Sequence, residues 1–343
     1  MQTVLDSAVS GKRRGFLCAG CWTLDRVKIV DNWPAEDSLA RIIEIDRQGG
    51  GSAHNVGVGL KRIDSMLPVE GIGLLGHDAD GDFLINRAAQ YGIDTAQMHQ
   101  THEAATSFTD VMSVQSTGRR TFFHHTGTND LLTPDWFDLS NTTMCCLHLG
   151  LLGLHAQMDA PWESHASGWV AVLSVAQQAG IETSIELVSI DAGRIRELAT
   201  PCLPFIDKLI VNDQEIGALA NIDTMPDGVA CPERCLQAAQ TVCDSNDIKL
   251  VAVHYPKGAI AIDAHGNDYS CPSLAMDPEQ IGGSVGAGDA FASGMLYALH
   301  EGWSIDKAMQ LGHAVAASSL KSSTAVESIG TLEYCLTLVN SNY

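Results

Sequence analysis

Short apolar strands alternate with amphipathic helices from about residue 145 onward, and this alternation restricts the fold more than any other feature of the chain. The spacing of apolar residues predicts strands at 145–150, 181–187, 208–211 and 250–253, and helices over 169–179, over 235–243 and from 305 to about 320. Such alternation is typical of a mostly parallel sheet covered by helices. We therefore expect an α/β fold.

The first 125 residues follow a different pattern. Short alternating segments at 26–30, 42–46, 106–113 and 121–123 predict an additional small β-sheet. We place it at about 24–48 and 96–125, inside a single domain that spans residues 1–343. A sheet inserted over the carboxyl ends of a parallel sheet can act as a lid that excludes water. Its edge strands invite pairing with a second copy, which makes a homodimer through the lid the expected assembly.

Composition favours small-molecule partners. The chain has 20 lysines and arginines and 41 acidic residues, which give a formal charge of −21. This charge repels nucleic acid and anionic membrane surfaces. No apolar run approaches the roughly 18 residues of a membrane span. The apolar stretch that follows the basic segment 12–14 is shorter than the roughly 7–15 residues of a secretion signal. We therefore interpret this stretch as a first strand. Ten dispersed cysteines fit reduced thiols in the cytoplasm.

The decapeptide 282–291 brings small residues and a carboxylate directly before a helix. Apolar residues recur behind it at helical spacing, at Phe291, Met295, Leu296 and Leu299. Asp289 is therefore predicted in the first helical turn. Gly286 and Gly288 allow close backbone approach, so successive N–H groups can converge on an anion, and the helix dipole favours the same charge.

This arrangement predicts phosphoryl transfer to an alcohol. A carboxylate beside an anion site would be repelled by phosphate unless it had a chemical role, and removing a proton from an attacking hydroxyl is such a role. Because the chain is so acidic, the phosphates of a nucleotide would need local N–H groups and a divalent cation. The alternative is a flexible loop that only caps a helix.

The late glycine-rich turn and the early β insertion together resemble the ribokinase-like, or PfkB, carbohydrate kinase family over nearly the whole chain. The resemblance implies a ribokinase-like fold with a β lid, ATP and Mg²⁺ as cofactors, and a sugar or related alcohol as acceptor. It also implies that the backbone around Gly286, Ala287 and Gly288 forms the anion hole, while Asp289 deprotonates the acceptor hydroxyl.

An early signature of the family is matched by Gly50 and Gly51, followed by Asn55. The resemblance assigns these three residues and Asp25 to substrate binding. Glycine lets backbone amides reach sugar hydroxyls, Asn55 offers a donor and an acceptor, and the Asp25 carboxylate can accept from two hydroxyls. The alternatives are an ordinary glycine-rich loop for residues 50–55 and a surface turn residue for Asp25.

The tetrad 212–215 matches the family's Asn-x-x-Glu pattern. The resemblance implies that Asn212 lies at the nucleotide phosphates and that Glu215 holds Mg²⁺ through bound water; helix capping by Asn212 is compatible with this. His254, Lys257 and Gly258 lie on the nucleotide side, where they either contact phosphate or form an exposed turn.

Several positions depart from the family pattern. Gly283 and Ser284 stand where many members have Asp-Thr, so a carboxylate associated with a monovalent cation is missing and activation by such an ion is doubtful. Ser52 replaces the usual lysine of the early signature. Gly150 lies where ribokinases carry a sugar-binding acid, which argues against ribose.

Two rival motifs point to other chemistry. Residues 71–76 fit the dinucleotide pattern G-x-G-x-x-G, but 68–70 form a poor preceding strand and 77–81 do not open an apolar helix. Residues 282–286 fit the nucleophile elbow G-x-S-x-G with Ser284, yet no strand is predicted before them. Within the kinase fold, a nucleoside kinase and a non-catalytic sugar-binding regulator remain the alternative functions.

Overall fold

The computed structural model describes residues 13–322 and 324–343; residues 1–12 and Ser323, which the predicted single domain includes, lie outside the described residues. The strands are β1 Phe16–Gly20, β2 Thr23–Val30, β3 Ile42–Gly50, β4 Val69–Gly76, β5 Asp94–Thr101, β6 Phe108–Val114, β7 Arg120–His125, β8 Cys146–Leu152, β9 Glu182–Leu187, β10 Lys208–Asn212, β11 Leu250–Tyr255, β12 Gly258–Asp263 and β13 Asp268–Pro272. The helices are α1 Ser52–Ile63, α2 Ala79–Gln90, α3 Ala156–Asp159, α4 Gly168–Gln178, α5 Ala192–Ala199, α6 Asp213–Ala220, α7 Pro232–Asp244, α8 Ala287–His300, α9 Ile305–Ser319 and α10 Leu332–Asn342.

Nine strands form the central sheet, in the order β13-β12-β11-β10-β9-β8-β1-β4-β5. The strands from β11 to β5 pair in parallel, and β12 and β13 add an antiparallel edge. This confirms the predicted α/β fold. Because side chains alternate along a strand, Phe16 packs into one core with α1, α8 and α9, whereas Leu17 packs into the other with α4 and α7.

A separate sheet of four strands, in the order β3-β2-β6-β7, forms the lid. The predicted boundaries were wrong at one point: β5, expected within the second lid segment, pairs in parallel with β4 at the edge of the central sheet. Edge strands of the central sheet and edge strands of the lid both carry a partly exposed, alternating pattern. The sequence alone therefore does not distinguish one from the other. In the lid, Asp25 of β2 lies opposite Gln48 and Thr109.

The dinucleotide-like motif is structural. A helix does follow it, contrary to the sequence-based expectation, but all three of its glycines lie inside β4 rather than in a turn after the strand. Trp22 is fully buried and donates from Nε1 to the Ile72 carbonyl over 3.0 Å. A Cβ at Gly71 would come within 2.7 Å of the Trp22 ring, so these glycines make room for the indole.

Among residues 13–322 and 324–343, no helix is long and apolar enough to cross a bilayer. All ten cysteines fall within this part of the chain, and none is joined to another. The strand predicted near residue 15 begins at Phe16.

Candidate functional site

Asp289 lies in the first turn of α8, as predicted. Gly286 caps this helix in the left-handed conformation, with φ 71°, and a Cβ there would meet the Cβ of Ala325 at 2.6 Å. The N–H groups of Ala287, Gly288 and Asp289 are the first of the 14-residue helix, so the helix itself supplies no acceptors for them. Together with the helix dipole, they form a site suited to an anion.

Asn55 links the early glycine turn to this helix. Its Nδ2 donates to Asp289 Oδ2 over 2.6 Å, and its Oδ1 lies 3.0 Å from Nδ1 of His54. Gly51 starts α1 with φ 84°, a conformation that favours glycine, and its carbonyl accepts the Asn55 N–H over 2.9 Å. The structure thus brings the two motifs that the sequence singled out into direct contact.

Asp25 lies against Gly50 at the same place. A Cβ at Gly50 would overlap the Asp25 carboxylate, so the glycine lets the strand approach the acid. Burial raises the pKa of Asp25 to about 7; the Thr109 hydroxyl acts in the opposite direction, and the charge of Asp289 raises the pKa further. Asp25 and Gly50 therefore lie beside the turn that leads to Asn55, which contacts the Asp289 carboxylate.

Glu186 and His148 belong to the site but were not predicted. Glu186 Oε2 lies 3.0 Å from Nε2 of His148, and Nδ1 of that histidine lies 3.0 Å from the Ser184 hydroxyl. Glu186 also hydrogen-bonds to the Asp289 carboxyl. Burial lowers the pKa of His148 to about 4, so its imidazole is neutral near pH 7.

The carboxyl groups of Asp289 and Glu186 share one buried environment. The pKa of Asp289 is raised well above its usual range, first by burial and then by the charge and hydrogen bond of Glu186, while the Asn55 amide lowers it. Burial likewise raises the pKa of Glu186 to about 7. A base whose pKa approaches the working pH is suited to accept a proton from an alcohol.

Asn212 and Glu215 form a reciprocal cap at the start of α6. Asn212 Oδ1 accepts the Glu215 N–H over 2.9 Å, and Glu215 Oε2 accepts the Asn212 N–H over 3.0 Å. Ser189 donates to the other Glu215 oxygen over 3.1 Å. Burial raises the pKa of Glu215 to about 7. Each Glu215 oxygen therefore accepts one hydrogen bond, and the role of this residue at a metal ion stays a prediction.

A cavity of about 550 Å³ opens beside the amino end of α8; we call it the α8 cavity. Asn212, His254, Ala287 and Gly288 line it together with Phe291. The rings of His254 and Phe291 are 5.3 Å apart, and burial lowers the pKa of His254 to about 4. The neutral imidazole therefore offers an aromatic wall rather than a positive charge for phosphate.

The structure does not bring Lys257 and Gly258 into this cavity. Lys257 is exposed in the turn between β11 and β12, and Gly258 is buried at the start of β12. Neither residue lines the α8 cavity, which the neighbouring Tyr255 and Pro256 do line.

A second cavity of about 570 Å³, the lid cavity, lies between the lid and the loop before α8. It is lined by Asp46, Gln48 and Arg120 from the lid and by Gly283 and Ser284 from the loop. Ser284 lines both cavities, so the glycine-rich turn separates two adjoining spaces. No strand precedes Ser284 in the described segment 273–283, which removes the context of a nucleophile elbow.

Most predicted site residues come from four chain segments that meet at the carboxyl ends of β8, β9 and β10. Parallel strands place such ends at one edge of the sheet, where ligands of open α/β folds bind. Glu186 had one available signal, an acid near the end of a predicted strand, but Glu182 near the start of the same strand gives an equal signal. Among the described residues, no group of three or more His, Cys, Asp or Glu side chains could hold a metal ion unaided.

Comparison with known proteins gives a family model and several relatives. The family model described as pfkB family carbohydrate kinase matches residues 17–332. The 5-dehydro-2-deoxygluconokinase of Clostridium perfringens is 24% identical over 293 residues, which cover 83% of this chain and 81% of that protein. Ketohexokinase of Mus musculus is 23% identical over 306 residues, which cover 89% of this chain and 95% of that protein.

Solved structures show the same fold. Arabidopsis thaliana ribokinase, complexed with ribose and ATP, aligns with a TM-score of 0.77 at 20% identity over 95% of this chain and 98% of its own. The nucleoside kinase of Methanocaldococcus jannaschii aligns with a TM-score of 0.74 at 16% identity over 97% of this chain and 100% of its own. The fold of the chain is therefore ribokinase-like.

Proposed function

We propose a reaction for this chain, which belongs to the pfkB family of carbohydrate kinases. It transfers the terminal phosphoryl group of ATP to a hydroxyl of a sugar or sugar-like alcohol, and Asp289 acts as the general base. The observation that carries the proposal is the position of Asp289. Its carboxylate lies in the first turn of α8, next to the first N–H groups of the helix, and is held by Asn55 over 2.6 Å.

The acceptor binds between the lid and the early glycine turn. Asp25 and Asn55 offer acceptors and a donor to its hydroxyls, and the backbone at Gly50 and Gly51 allows close approach. Asp289 then takes the proton of the attacking hydroxyl. General-base catalysis of this kind contributes about 10²–10⁴-fold to the rate.

The nucleotide occupies the α8 cavity in this proposal. His254 and Phe291 offer their rings to its base, and the N–H groups of Ala287, Gly288 and Asp289 stabilise charge on the transferring phosphoryl group. Mg²⁺ bound near Glu215 would neutralise charge on the nucleotide phosphates. Glu215 and Asn212 would reach the ion through water, and the nucleotide would complete its coordination.

The test is magnesium-dependent ATP consumption across a panel of sugars, sugar acids and nucleosides. We expect selective turnover by the native protein and a loss of about 10²–10⁴-fold in Asp289→Asn. Asp306→Asn is the matched control, because Asp306 is exposed in the first turn of the following helix α9 and should be dispensable. Full activity of Asp289→Asn would exclude Asp289 as the base. Ligand binding by the native protein without turnover would indicate a non-catalytic regulator.

A further inference from the structure

The carboxyl groups of Asp289 and Glu186 form a direct pair between α8 and β9. Their hydrogen bond raises the pKa of Asp289 and lowers that of Glu186, so Asp289 is the donor and Glu186 the acceptor. Two ionised carboxylates in such contact repel each other, and a shared proton removes that repulsion. The two groups therefore hold one proton in common and titrate as a pair.

The sheet leaves room for the Glu186 side chain at this place. Gly150, on the neighbouring strand β8, carries no side chain, and a Cβ there would come within 3.3 Å of the Glu186 Cβ. Strand β9 ends one residue after Glu186. The side chain of Glu186 is only 15% exposed. The acid is thus packed against the amino end of α8 and is not a solvated residue of the sheet edge.

His148 holds the Glu186 carboxyl group in this position. Its Nε2 lies 3.0 Å from Glu186 Oε2, and its Nδ1 lies 3.0 Å from the Ser184 hydroxyl. With the Ser184 hydroxyl donating to Nδ1, the Nε2–H donates to Glu186. The ring is buried, and burial lowers its pKa to about 4. The neutral imidazole therefore orients Glu186 and adds no positive charge near pH 7.

Other titratable groups act on the pair through space. The groups that the charge of Asp289 reaches are Cys21, Asp25, His54, His148 and Glu215. Glu215 also raises the pKa of Glu186 by its charge, but its own hydrogen bonds go to Asn212 and Ser189. Glu186 differs from these groups because it shares a hydrogen bond with the base.

We propose that Glu186 is a positioning residue for the base: it shares one proton with Asp289, and the pair, not Asp289 alone, accepts the proton of the acceptor hydroxyl. The inference rests on the proposed kinase function. As the acceptor oxygen bonds to the terminal phosphorus of ATP, its O–H bond breaks, and the bond from that phosphorus to ADP breaks with its electrons on ADP. The hydroxyl proton moves to Asp289, while the shared proton moves to Glu186.

The carboxylate partner makes Asp289 a stronger base. Burial is the first cause that raises the pKa of Asp289, and the charge of Glu186 is the second. A base that holds a proton more firmly removes one from an alcohol more efficiently. Replacing Glu186 with glutamine keeps the size of the side chain, but it removes the negative charge and the second acceptor for the proton.

The experiment is the pH dependence of kcat/KM between pH 5 and 9, for the acceptor that the native protein phosphorylates best. Glu186→Gln should move the acid limb to lower pH by about one unit, because Asp289 loses the charge that helps to hold its proton. The plateau at high pH should fall, because the base is weaker. General damage to the site lowers the plateau without moving the limb. An acid limb that stays in place would overturn the proposal.

A conservative variant and a remote variant complete this test. Glu186→Asp keeps the charge and should return the acid limb to within about half a unit of its native position. Glu197→Gln is the remote control, since Glu197 is 68% exposed on α5, and it should keep the native profile. An acid limb in Glu186→Asp that matches the limb of Glu186→Gln would overturn the role of the charge.

A stability measurement without ATP tests the pair independently of turnover. The melting temperatures of the native protein, Glu186→Gln, Asp289→Asn and the double variant form a double-mutant cycle. The two substitutions should be non-additive, and their coupling should change toward repulsion between pH 6 and pH 9, as the shared proton is lost. Additive effects at both pH values would overturn the pair even if no acceptor were phosphorylated. Coupling without ATP turnover on any acceptor would support the pair and contradict the proposed function.

Discussion

The Asn55 amide donates a 2.6 Å hydrogen bond to Asp289 and thereby joins two segments that are 234 residues apart in the chain. The bond favours the ionised form of Asp289 and lowers its pKa, in opposition to burial and to Glu186. Under the proposed function, Asn55 would have two roles: it would offer a polar group to the acceptor, and it would help to keep Asp289 deprotonated.

Asn55→Ala should shift the pH dependence of kcat/KM. Loss of the amide raises the pKa of Asp289, and because a general base must be deprotonated, the acid limb should move to higher pH by about one unit. The measurement is kcat/KM between pH 5 and 9. Asn342→Ala, at the exposed end of α10, is the control and should keep the native profile. An unshifted acid limb would show that Asn55 does not tune the base.

Asn212→Ala should reduce both stability and nucleotide affinity. Loss of the cap of α6 costs about 1 kcal/mol of unfolding free energy, and loss of the amide at the α8 cavity should raise KM for ATP. Asn212→Ser restores a capping oxygen and should recover the stability. The matched control is Ser167→Ala, which removes the cap of α4. That variant should be similarly destabilised while KM for ATP stays unchanged; equal KM effects in both variants would refute a nucleotide role for Asn212.

Glu186→Gln should become more stable relative to the native protein as pH rises. The pKa of Glu186 is raised from 4.5 to about 7 in the folded state, so between these values the native protein binds more protons than the unfolded chain. Its contribution is fully present below pH 4.5 and is lost as pH rises through about 7. The stability difference should grow by up to about 3 kcal/mol between pH 4.5 and 8, measured by urea denaturation without ligand.

A histidine variant should show the opposite trend. Burial lowers the pKa of His155 from 6.5 to about 4, so its neutral form stabilises the native protein as pH rises from 4 to 6.5. His155→Gln should therefore lose stability relative to the native protein over this interval. His155 contacts the Leu151 carbonyl and the Trp169 ring. A gain of stability with pH in His155→Gln, parallel to that in Glu186→Gln, would contradict the assignment for His155.

The lid should mediate a homodimer. Its outer strands are edges, and it exposes large apolar side chains; Ile45 is 64%, Phe122 56% and Phe123 53% exposed. Trp33 stacks on Phe123 at 6.3 Å. We expect light scattering after gel filtration to give the mass of a dimer for the native chain and of a monomer for Phe123→Asp. Val229→Asp changes an exposed apolar residue outside the lid and should remain dimeric. A monomeric native protein would refute the prediction.

Local patterns in the sequence determined the fold class and the glycine-rich turn before Asp289. Strand and helix periods are properties of a few consecutive residues, so 145–150 and 181–187 could be predicted as strands close to the observed β8 and β9. The same holds for the turn before Asp289, because the conformation of Gly286 and the start of α8 depend on neighbours in the chain. Asn212 could be predicted as a helix cap for this reason as well.

Only the tertiary structure decided which side chains meet and what charge they carry. The pairing of β5 with β4, rather than with the lid, depends on how distant segments pack together, which no local pattern describes. Glu186 became part of the site because β9 ends beside α8, and its pKa rises because the fold removes water from it. His254, which the sequence offered as a phosphate contact, is neutral for the same reason. Burial and proximity are set by packing between distant segments, so residue type alone does not determine them.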